Sequence, residues 1–398
     1  MPRHQVLPDC HAVRAEAMFD GFSVSGPVTV HVRRGRIVAV DRTGSVPQDT
    51  HVIDLGADVC LLPGLVESGL HLSFDASTHP VASLVAEDDD QVLTRMRAAA
   101  HEALLAGITT ARDLGDRNFL SLTLADETLR APHLGPEILA SGPPITTPGG
   151  QCHFLGGAVS GEAALIEAVR ERHARGCAVV GILASGGAMT YGSRAHLPQF
   201  SVTELRTVVE EAHRLGLPVA AHAHATTSIR DALAAGVDIL GYVSFWEEWG
   251  VTRDLELMAR IAGSGTFVGL PLGRRGEPVR TGFDGLALRA DGIRAASGSL
   301  VRLGARVVVT SGGGVAPHKP HNVLPYSAGE LVELGMTPLE SLKAITSEAA
   351  AACGVEGRKG RIQAGADADF LAVAGDPLRD LGALHDVHAV FRAGVRIR

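Results

Sequence analysis

The chain has 398 residues, of which 45% are hydrophobic and 20% charged, with a formal net charge of −8. This composition is typical of a soluble globular protein with two or three domains, or with one large barrel and an appendage. Asp and Glu number 44 against 36 Lys and Arg, without a basic stripe, so we expect no nucleic-acid partner.

The five cysteines are scattered, and none forms a Cys-x-x-Cys pair. This pattern predicts reduced thiols rather than a disulfide framework or a thiolate zinc site. The first residues lack a signal-peptide pattern, and no apolar run is long enough to span a membrane. We therefore expect a cytoplasmic protein without a membrane partner.

Both ends of the chain are predicted to be rich in β-strands. Residues 22–60 alternate apolar and polar side chains around a Gly-containing turn, as in VTVHVRRGRIVAVDR. Near the C-terminus, the segments FLAVAG and AVFRAGVRI have the same character.

Between these ends, apolar segments alternate with amphipathic ones. The predicted strands are ITTARDL, EILASG, AVVGILASGG, PVAAHAHA, VDILGYVSF, GTFVGLPL and ARVVVTSGGG. Intervening segments such as SVTELRTVVEEAHRLGL have helical spacing. Repeated strand–helix units of this length predict an α/β fold with a (β/α)8 TIM barrel, in which polar residues at the strand ends line one active-site mouth.

Several motifs in this order resemble the metal-dependent amidohydrolase superfamily, in its imidazolonepropionase-like and Xaa-Pro dipeptidase-like subgroup. They are LLPGLVESGLHLSFD, GITTARDLG, ASGPPITTPGGQCHFLGG, ILASGGAMTYGS, VAAHAHATTSIRDALAAGVDIL, APHKPHNVLP, ELGMTPLESLKAITSEAA and GRIQAGADADFLAVAGDPL. The resemblance implies a barrel over residues 62–360. It also implies a small β-sandwich domain made from residues 1–61 and 361–398.

Most metal ligands of the resembled family are replaced. Hydrolytic members have a His-x-His after strand 1, a carboxylated Lys on strand 4, one His each on strands 5 and 6, and an Asp on strand 8. The corresponding residues that differ here are Gly69, Gly181, Tyr242 and Gln151, the last in place of a subgroup His after strand 3, together with Gly312 at the Asp position. Only His71 and His222 remain of that ligand set, and no Lys precedes Lys319 to replace the carboxylated one.

A catalytic zinc ion needs about three protein ligands and an open position for water. Two histidines supply fewer, and without a metal nothing obvious would lower the pKa of a bound water. We therefore expect no metal and no cofactor. The alternative is a zinc ion held by His71, His222 and His224, since His224 follows His222 by two residues and points the same way on a strand.

The predicted catalytic residues are His71, His222, His224 and Tyr242. Imidazoles suit proton transfer at neutral pH, and a tyrosine hydroxyl can donate to a developing oxyanion. The alternative is that the histidines are hydrogen-bonded and inert, and that Tyr242 is only part of the pocket wall.

Seven further residues are candidates for substrate binding. Some could contact a ligand from the loops: a Gly-rich loop holds His153, both tryptophans (Trp246 and Trp249) follow strand 6, and Arg274 could bind a carboxylate. The structural alternatives are a salt bridge at the barrel floor for Glu67, a surface position for His153, an oligomer contact for the tryptophans, and solvation for Arg274. The full set is Glu67, Gln151, His153, Tyr191, Trp246, Arg274 and His318, the last in a predicted cationic loop with Lys319 and His321.

Three functions stay open from the sequence. The first is a metal-independent enzyme that uses His and Tyr for cyclisation, elimination, isomerisation or metal-free hydrolysis of a small organic substrate. The second is a mononuclear zinc amidohydrolase acting on an amide, lactam or dipeptide, and the third is an inactive small-molecule-binding protein. The Arg-rich, Ala/Gly-rich composition suggests a bacterial source and secondary metabolism, and we expect a homo-oligomer.

Overall fold

The computed structural model describes residues 7–43, 45–276 and 289–398 of the chain. Residues 1–6 of the predicted terminal domain lie outside these ranges. The strands at the two chain ends are β1 (Cys10–Ala15), β2 (Ala17–Phe19), β3 (Val24–Ser25), β4 (Val28–Arg33), β5 (Arg36–Asp41), β6 (His51–Asp54), β7 (Val59–Pro63), β17 (Phe370–Ala374), β18 (Val387–Arg392) and β19 (Val395–Arg396). N-terminal strands alone form one sheet, in the order β5-β4-β1-β6, and strands from both ends form the other, in the order β19-β18-β17-β7-β2-β3.

The two ends of the chain meet because β17 pairs with β7 in antiparallel register, with Phe370 opposite Pro63. Apolar side chains from both sheets, such as Val30 and Phe391, pack into one core cluster. The predicted strands at both ends are therefore confirmed. The boundary between residues 61 and 62 stays a prediction, and β7 runs across it.

Eight parallel strands of the described chain form the barrel. They are β8 (Leu65–Leu70), β9 (Ile108–Asp113), β10 (Glu137–Ala140), β11 (Val180–Leu183), β12 (Val219–Ala225), β13 (Ile239–Glu247), β15 (Phe267–Leu270) and β16 (Arg306–Val309). A short strand, β14 (Gly250–Val251), pairs back onto β13.

Hydrogen bonds outside the regular ladders close this barrel. The parallel strands form the runs β8-β9-β10 and β11-β12-β13-β15-β16. Ile145, after β10, pairs with Ile182 of β11 and joins the two runs on one side. On the other side, Gly312 N donates to Gly69 O at 3.0 Å and His71 N donates to Gly313 O at 2.9 Å. The last two bonds bring the loop after β16 beside the end of β8.

Helices follow most barrel strands, and several begin with a capping box. In the second helix, the Asp88 side chain accepts a hydrogen bond from the Gln91 backbone N–H, and the Gln91 side chain accepts one from the Asp88 backbone N–H. Ser201 and Glu204 make the same pair of bonds in the fifth helix. The helices are α1 (Pro80–Ala86), α2 (Asp89–Leu105), α3 (Leu120–Arg130), α4 (Glu162–Arg175), α5 (Val202–Arg214), α6 (Thr226–Ala235), α7 (Leu255–Ser264), α8 (Ala290–Arg302), α9 (Ser327–Glu333), α10 (Pro338–Ala344) and α11 (Ser347–Ala352). Within the described residues, none of these helices combines the length and apolar character that a membrane span requires.

Candidate active site

Histidines from two barrel strands meet at the carboxyl ends of the strands, where barrel enzymes place their active sites. His71 directly follows β8, and His222 and His224 lie on β12. The rings of His222 and His224 are 4.5 Å apart between centroids, so both point to the same side of the strand, as their spacing predicts.

Tyr242 on β13 joins these histidines into one cluster. Its hydroxyl oxygen lies 3.4 Å from Nε2 of His71. Its ring centroid lies 4.4 Å from that of His222 and 5.1 Å from that of His224. The structure thus brings together all four residues that the sequence nominates for catalysis, which we call the His/Tyr cluster.

A bulge in β13 shapes the wall around His224. Ala223 pairs with Tyr242, but Ala225 pairs with Trp246, so three residues of β13 stand opposite one residue of β12. A regular strand would separate Tyr242 and Trp246 by about 13 Å, at ~3.3 Å per residue. The bulge instead lets both rings contact His224, with centroid distances of 5.1 and 5.6 Å.

This bulge holds non-glycine residues in left-handed backbone conformations. The φ angles are +71° at Tyr242, +41° at Val243 and +50° at Phe245. Such conformations are costly for L-residues, most of all for a β-branched valine, and persist where the surroundings impose them, often at functional sites. Ser244, between them, reaches Nδ1 of His224 with its hydroxyl at 2.9 Å.

Burial keeps the imidazoles of the cluster uncharged at neutral pH. It lowers the pKa of His71 and of His224 to about 4. It also lowers the pKa of His222 well below its usual value, with a further contribution from the neighbouring imidazoles. Burial raises the pKa of the Tyr242 hydroxyl, so the phenol keeps its proton. The cluster therefore combines proton acceptors with a proton donor.

Glu67 lies beneath the cluster in the middle of β8 and is 1% exposed. One carboxylate oxygen, Oε1, accepts hydrogen bonds from the backbone N–H groups of Gly69, at 2.9 Å, and Ser311, at 3.1 Å. The alternative of a salt bridge at Glu67 is not found among the described residues: backbone N–H groups rather than a cation satisfy Oε1, while Oε2 has no hydrogen-bond partner there. Burial raises the pKa of Glu67 to about 7.

Two of the glycines that replace family ligands stand in filled space. A Cβ atom at Gly69 would lie 2.3 Å from Cγ2 of Thr310, so no side chain fits there without a shift. A Cβ atom at Gly312, where φ is +66°, would lie 3.1 Å from the Tyr242 hydroxyl. At Gly181 the nearest atom would be Oγ of Ser141 at 3.4 Å, which is an ordinary contact.

The residues at the cluster do not match the ligand set of a metal site. Across residues 7–43, 45–276 and 289–398, no group of three or more His, Cys, Asp or Glu side chains is placed to hold a metal ion. The space at two former ligand positions is taken by Thr310 and by the Tyr242 hydroxyl. The donors that remain at the cluster are uncharged imidazoles, and glycines stand at the positions of the family's carboxylated lysine and aspartate, so this donor set lacks the anionic ligands of the family's site.

The predicted substrate-binding residues divide into two groups. Gln151 is 3% exposed, lies against Gly187 and has no partner for Oε1 in the described chain, and Trp246 is 7% exposed beside His224. By contrast, His153, Tyr191 and Arg274 are exposed on loops, with Tyr191 wholly so. Their binding roles stay predictions.

The two tryptophans lie in different surroundings, although the sequence places both in the segment after strand 6. Trp246 is buried, whereas Trp249 is 90% exposed at the turn between β13 and β14, because the bulge directs only the first one inward. The guanidinium of Arg289 lies over the Trp246 ring, 4.9 Å from its centroid.

The loop after β16 is less cationic than its sequence predicts. Burial lowers the pKa of His318, and it lowers the pKa of His321 to about 4, so at neutral pH Lys319 is the basic side chain of this loop that can carry charge. The His321 imidazole contacts the backbone carbonyl of His71 at 3.2 Å through Nε2. This contact fixes the loop against the cluster.

Sequence reasoning missed two serines that position His224. Ser244 contacts its ring, and the hydroxyl of Ser185 accepts a hydrogen bond from its backbone N–H at 2.9 Å. Ser185 could have been found from the sequence, because it belongs to the Ala-Ser-Gly-Gly turn after β11. No sequence motif marks Ser244, because its contact with His224 depends on the bulge.

Comparison with known proteins places this architecture. A family model described as "Amidohydrolase family" matches residues 60–397. A relative from Aspergillus niger named ochratoxinase is 27% identical over 383 residues, which cover 86% of this chain and 75% of the relative.

Among solved structures, a Xaa-Pro dipeptidase with bound methionine in its active site superposes with a TM-score of 0.87 at 23% identity. The match covers 97% of this chain and 99% of the dipeptidase. The A. niger ochratoxinase structure superposes with a TM-score of 0.81 at 23% identity, covering 98% and 96% of the two chains. At these identities the structural likeness supports the fold alone.

Proposed function

The chain belongs to the amidohydrolase family, and we propose that it is a metal-independent enzyme of that fold. In this proposal the His/Tyr cluster performs acid–base chemistry on a small organic substrate, in a cyclisation, elimination or isomerisation. The observation that carries the proposal is the contact between Nε2 of His71 and the Tyr242 hydroxyl, in a mouth where family ligands are replaced.

The protonation states of the cluster suit this chemistry. A proton shift next to a carbonyl group needs a base that accepts a proton and a donor that stabilises the oxyanion formed. The neutral imidazoles of His71 and His222 can accept a proton, and the protonated Tyr242 can donate a hydrogen bond. Burial lowers the pKa of the imidazoles and raises that of the phenol, and such a divergence of pKa values within one site is typical of acid–base catalysis.

Gln151 and Trp246 extend the proposal to substrate binding. Oε1 of Gln151 is buried without a partner in the described chain and can accept a hydrogen bond from a substrate N–H or O–H group. Trp246 presents the edge of its ring to His224 and can pack against an apolar part of the substrate.

Metal content is the first test of the proposal. Plasma mass spectrometry on the purified, untagged protein should find no stoichiometric metal, and calorimetric titration with zinc should give no saturable binding. Near-stoichiometric metal that disappears in His71→Ala and His222→Ala would refute the proposal.

That second outcome would support a mononuclear zinc amidohydrolase acting on an amide, lactam or dipeptide. The observation in favour of this alternative is the 27% identity to a relative named ochratoxinase. The metal measurement separates the two proposals even before a substrate has been found.

A turnover test follows once screening of small carbonyl compounds, including cyclisation and isomerisation substrates, yields a reaction. His71→Ala and Tyr242→Phe should each lower kcat by about 10²–10⁴-fold, the usual contribution of a general acid or base. His388→Ala removes an exposed histidine of β18 and should leave kcat unchanged. Unchanged turnover in the cluster variants, or tight binding of a ligand that is released intact, would favour a binding protein instead.

A further inference from the structure

We propose that Lys319 is a further catalytic residue, whose side-chain amine forms an imine with a ketone or aldehyde group of the substrate. The inference rests on the proposed function, because an imine serves the same proton shifts that the His/Tyr cluster would carry out. The protonated imine formed on Lys319 would accept the electron pair that the substrate C–H bond releases.

The loop after β16 holds Lys319 at the mouth of the barrel. Its backbone N–H donates to Ala316 O at 2.8 Å, and its carbonyl accepts from the N–H of Gly314 at 2.7 Å. Gly314 in turn packs against the carbonyl of His71, since a Cβ atom there would lie 2.3 Å from that oxygen. Two short contacts therefore connect the backbone of Lys319 to the backbone of His71.

The side chain of Lys319 turns inward from this loop. Its Nζ donates to the carbonyl of Pro271, just after β15, at 2.7 Å. This bond uses one of the three N–H donors of the ammonium group. The amine thus sits between the ends of β15 and β16, on the same face of the barrel as the His/Tyr cluster.

Comparison with Lys359, which is 4% exposed, shows what the half-buried Lys319 lacks. Lys359 lies within 2.9 Å of the carboxylates of Glu137, Asp367 and Asp369. No carboxylate of the described chain lies within salt-bridge distance of Lys319. An amine that is partly removed from water and has no ion pair is harder to keep charged, and lysines in such surroundings serve as nucleophiles and Schiff-base residues.

The charged groups that face Lys319 come from three elements: Glu67 of β8, Glu330 of α9 and Arg274 after β15. Removal from water is the largest influence and lowers the pKa of Lys319; the two carboxyl groups raise it and Arg274 lowers it, which leaves a pKa of about 8. Compared with an ordinary lysine near 10.4, this leaves roughly 10²-fold more unprotonated amine at neutral pH.

The chemistry balances with water as the only other reactant. The Lys319 amine adds to the substrate carbonyl carbon, so that a C–N bond forms and the C=O π bond breaks. The oxygen takes up one amine proton and one proton from solvent and leaves as water, which gives a protonated imine. A cluster imidazole, His71 or His222, removes a proton from the adjacent carbon, and the C–H electron pair moves into the enamine. In a β,γ-unsaturated substrate the extended enamine takes up a proton at its γ-carbon; in a dicarbonyl substrate its α-carbon instead attacks the second carbonyl carbon, whose oxygen takes up a proton. Either step restores the protonated imine, and hydrolysis releases the product and the free amine.

The chain contains only three lysines, Lys319, Lys343 and Lys359, so the test can be read residue by residue. The probe is acetylacetone, a β-diketone that forms a stable conjugated enaminone with an unprotonated amine. The intact protein is treated at neutral pH, and the modified lysine is identified by peptide mass spectrometry. We expect Lys319 to react at least 10-fold faster than Lys343, and Lys319→Arg to abolish that adduct while Lys343→Arg retains it.

A preference for Lys343, or no adduct at Lys319 while Lys343 reacts, would overturn the proposal. Thermal unfolding of Lys319→Arg checks that the variant is folded. Once a substrate is known, loss of turnover in Lys319→Arg and borohydride trapping of the substrate on Lys319 would support the imine. Full turnover in that variant would overturn it, yet would leave the His/Tyr cluster proposal intact if His71→Ala is inactive.

Discussion

Replacing Lys359 by methionine should destabilise the protein by about 3–5 kcal/mol, the usual cost of removing one partner from a buried ion pair. Lys359 is 4% exposed, and methionine keeps its apolar stem. Arg358 still neutralises Glu137 and Asp367, at 2.6 and 2.7 Å. Asp369 loses its direct ion pair and keeps a backbone N–H donor on its other oxygen, while the Arg392 guanidinium acts on it only from beyond salt-bridge distance.

Urea unfolding at neutral pH, followed by circular dichroism, measures this loss. Asp369→Asn in the Lys359→Met background should recover most of it, because it removes the charge left without a direct ion pair. Lys343→Met, which removes an ammonium stacked on Phe22 at 5.4 Å, is the matched control and should change stability by less than about 1 kcal/mol. A loss below about 1 kcal/mol in Lys359→Met, or no recovery in the double variant, would refute the reasoning.

Two further predictions concern the active-site region. Gly69→Ala should lower the free energy of unfolding by about 1–3 kcal/mol, because the new Cβ atom would meet Thr310. Gly181→Ala, the control, should leave it nearly unchanged, and equal unfolding free energies of the two variants would contradict this prediction. His224→Gln should flatten the acid dependence of stability. The His224 pKa is about 4 folded and 6.5 unfolded, so between these values the unfolded state binds the proton and stability falls as the pH is lowered. The wild-type slope should exceed the variant's by about 1.4 kcal/mol per pH unit in urea titrations, and parallel slopes would disprove it.

The fold could be predicted from the sequence because the strand signals are local. Each barrel strand is a short apolar run, such as the segment ARVVVT that contains β16. Amphipathic segments between the strands begin with capping residues such as Ser201. The approach of His222 and His224 also follows from local geometry, since residues two apart share one face of a strand. The replacement of the family's ligand residues could also be identified from the sequence, because it depends only on which residues stand at the motif positions.

The surroundings of His224 could not be predicted, because they depend on an irregular strand. Left-handed backbone is normally signalled by Gly, Asn or Asp, and the segment from Tyr242 to Trp246 contains none of these. The hydrogen-bond partners of Glu67 could not be predicted either. Its partners are backbone N–H groups from β8 and from the loop after β16, which come together only when the barrel closes.

The charges at the mouth of the barrel connect these observations. The imidazoles of the His/Tyr cluster are neutral and its phenol is protonated, so the cluster presents hydrogen-bonding groups without net charge. Glu67 and Lys319 titrate closer to neutrality, with pKa values of about 7 and 8. Divalent cations bind where anionic ligands converge, whereas the Glu67 carboxylate is held by backbone N–H groups. This balance of charge suits an organic substrate that gains negative charge during reaction, which the Lys319 amine and the Tyr242 hydroxyl could stabilise.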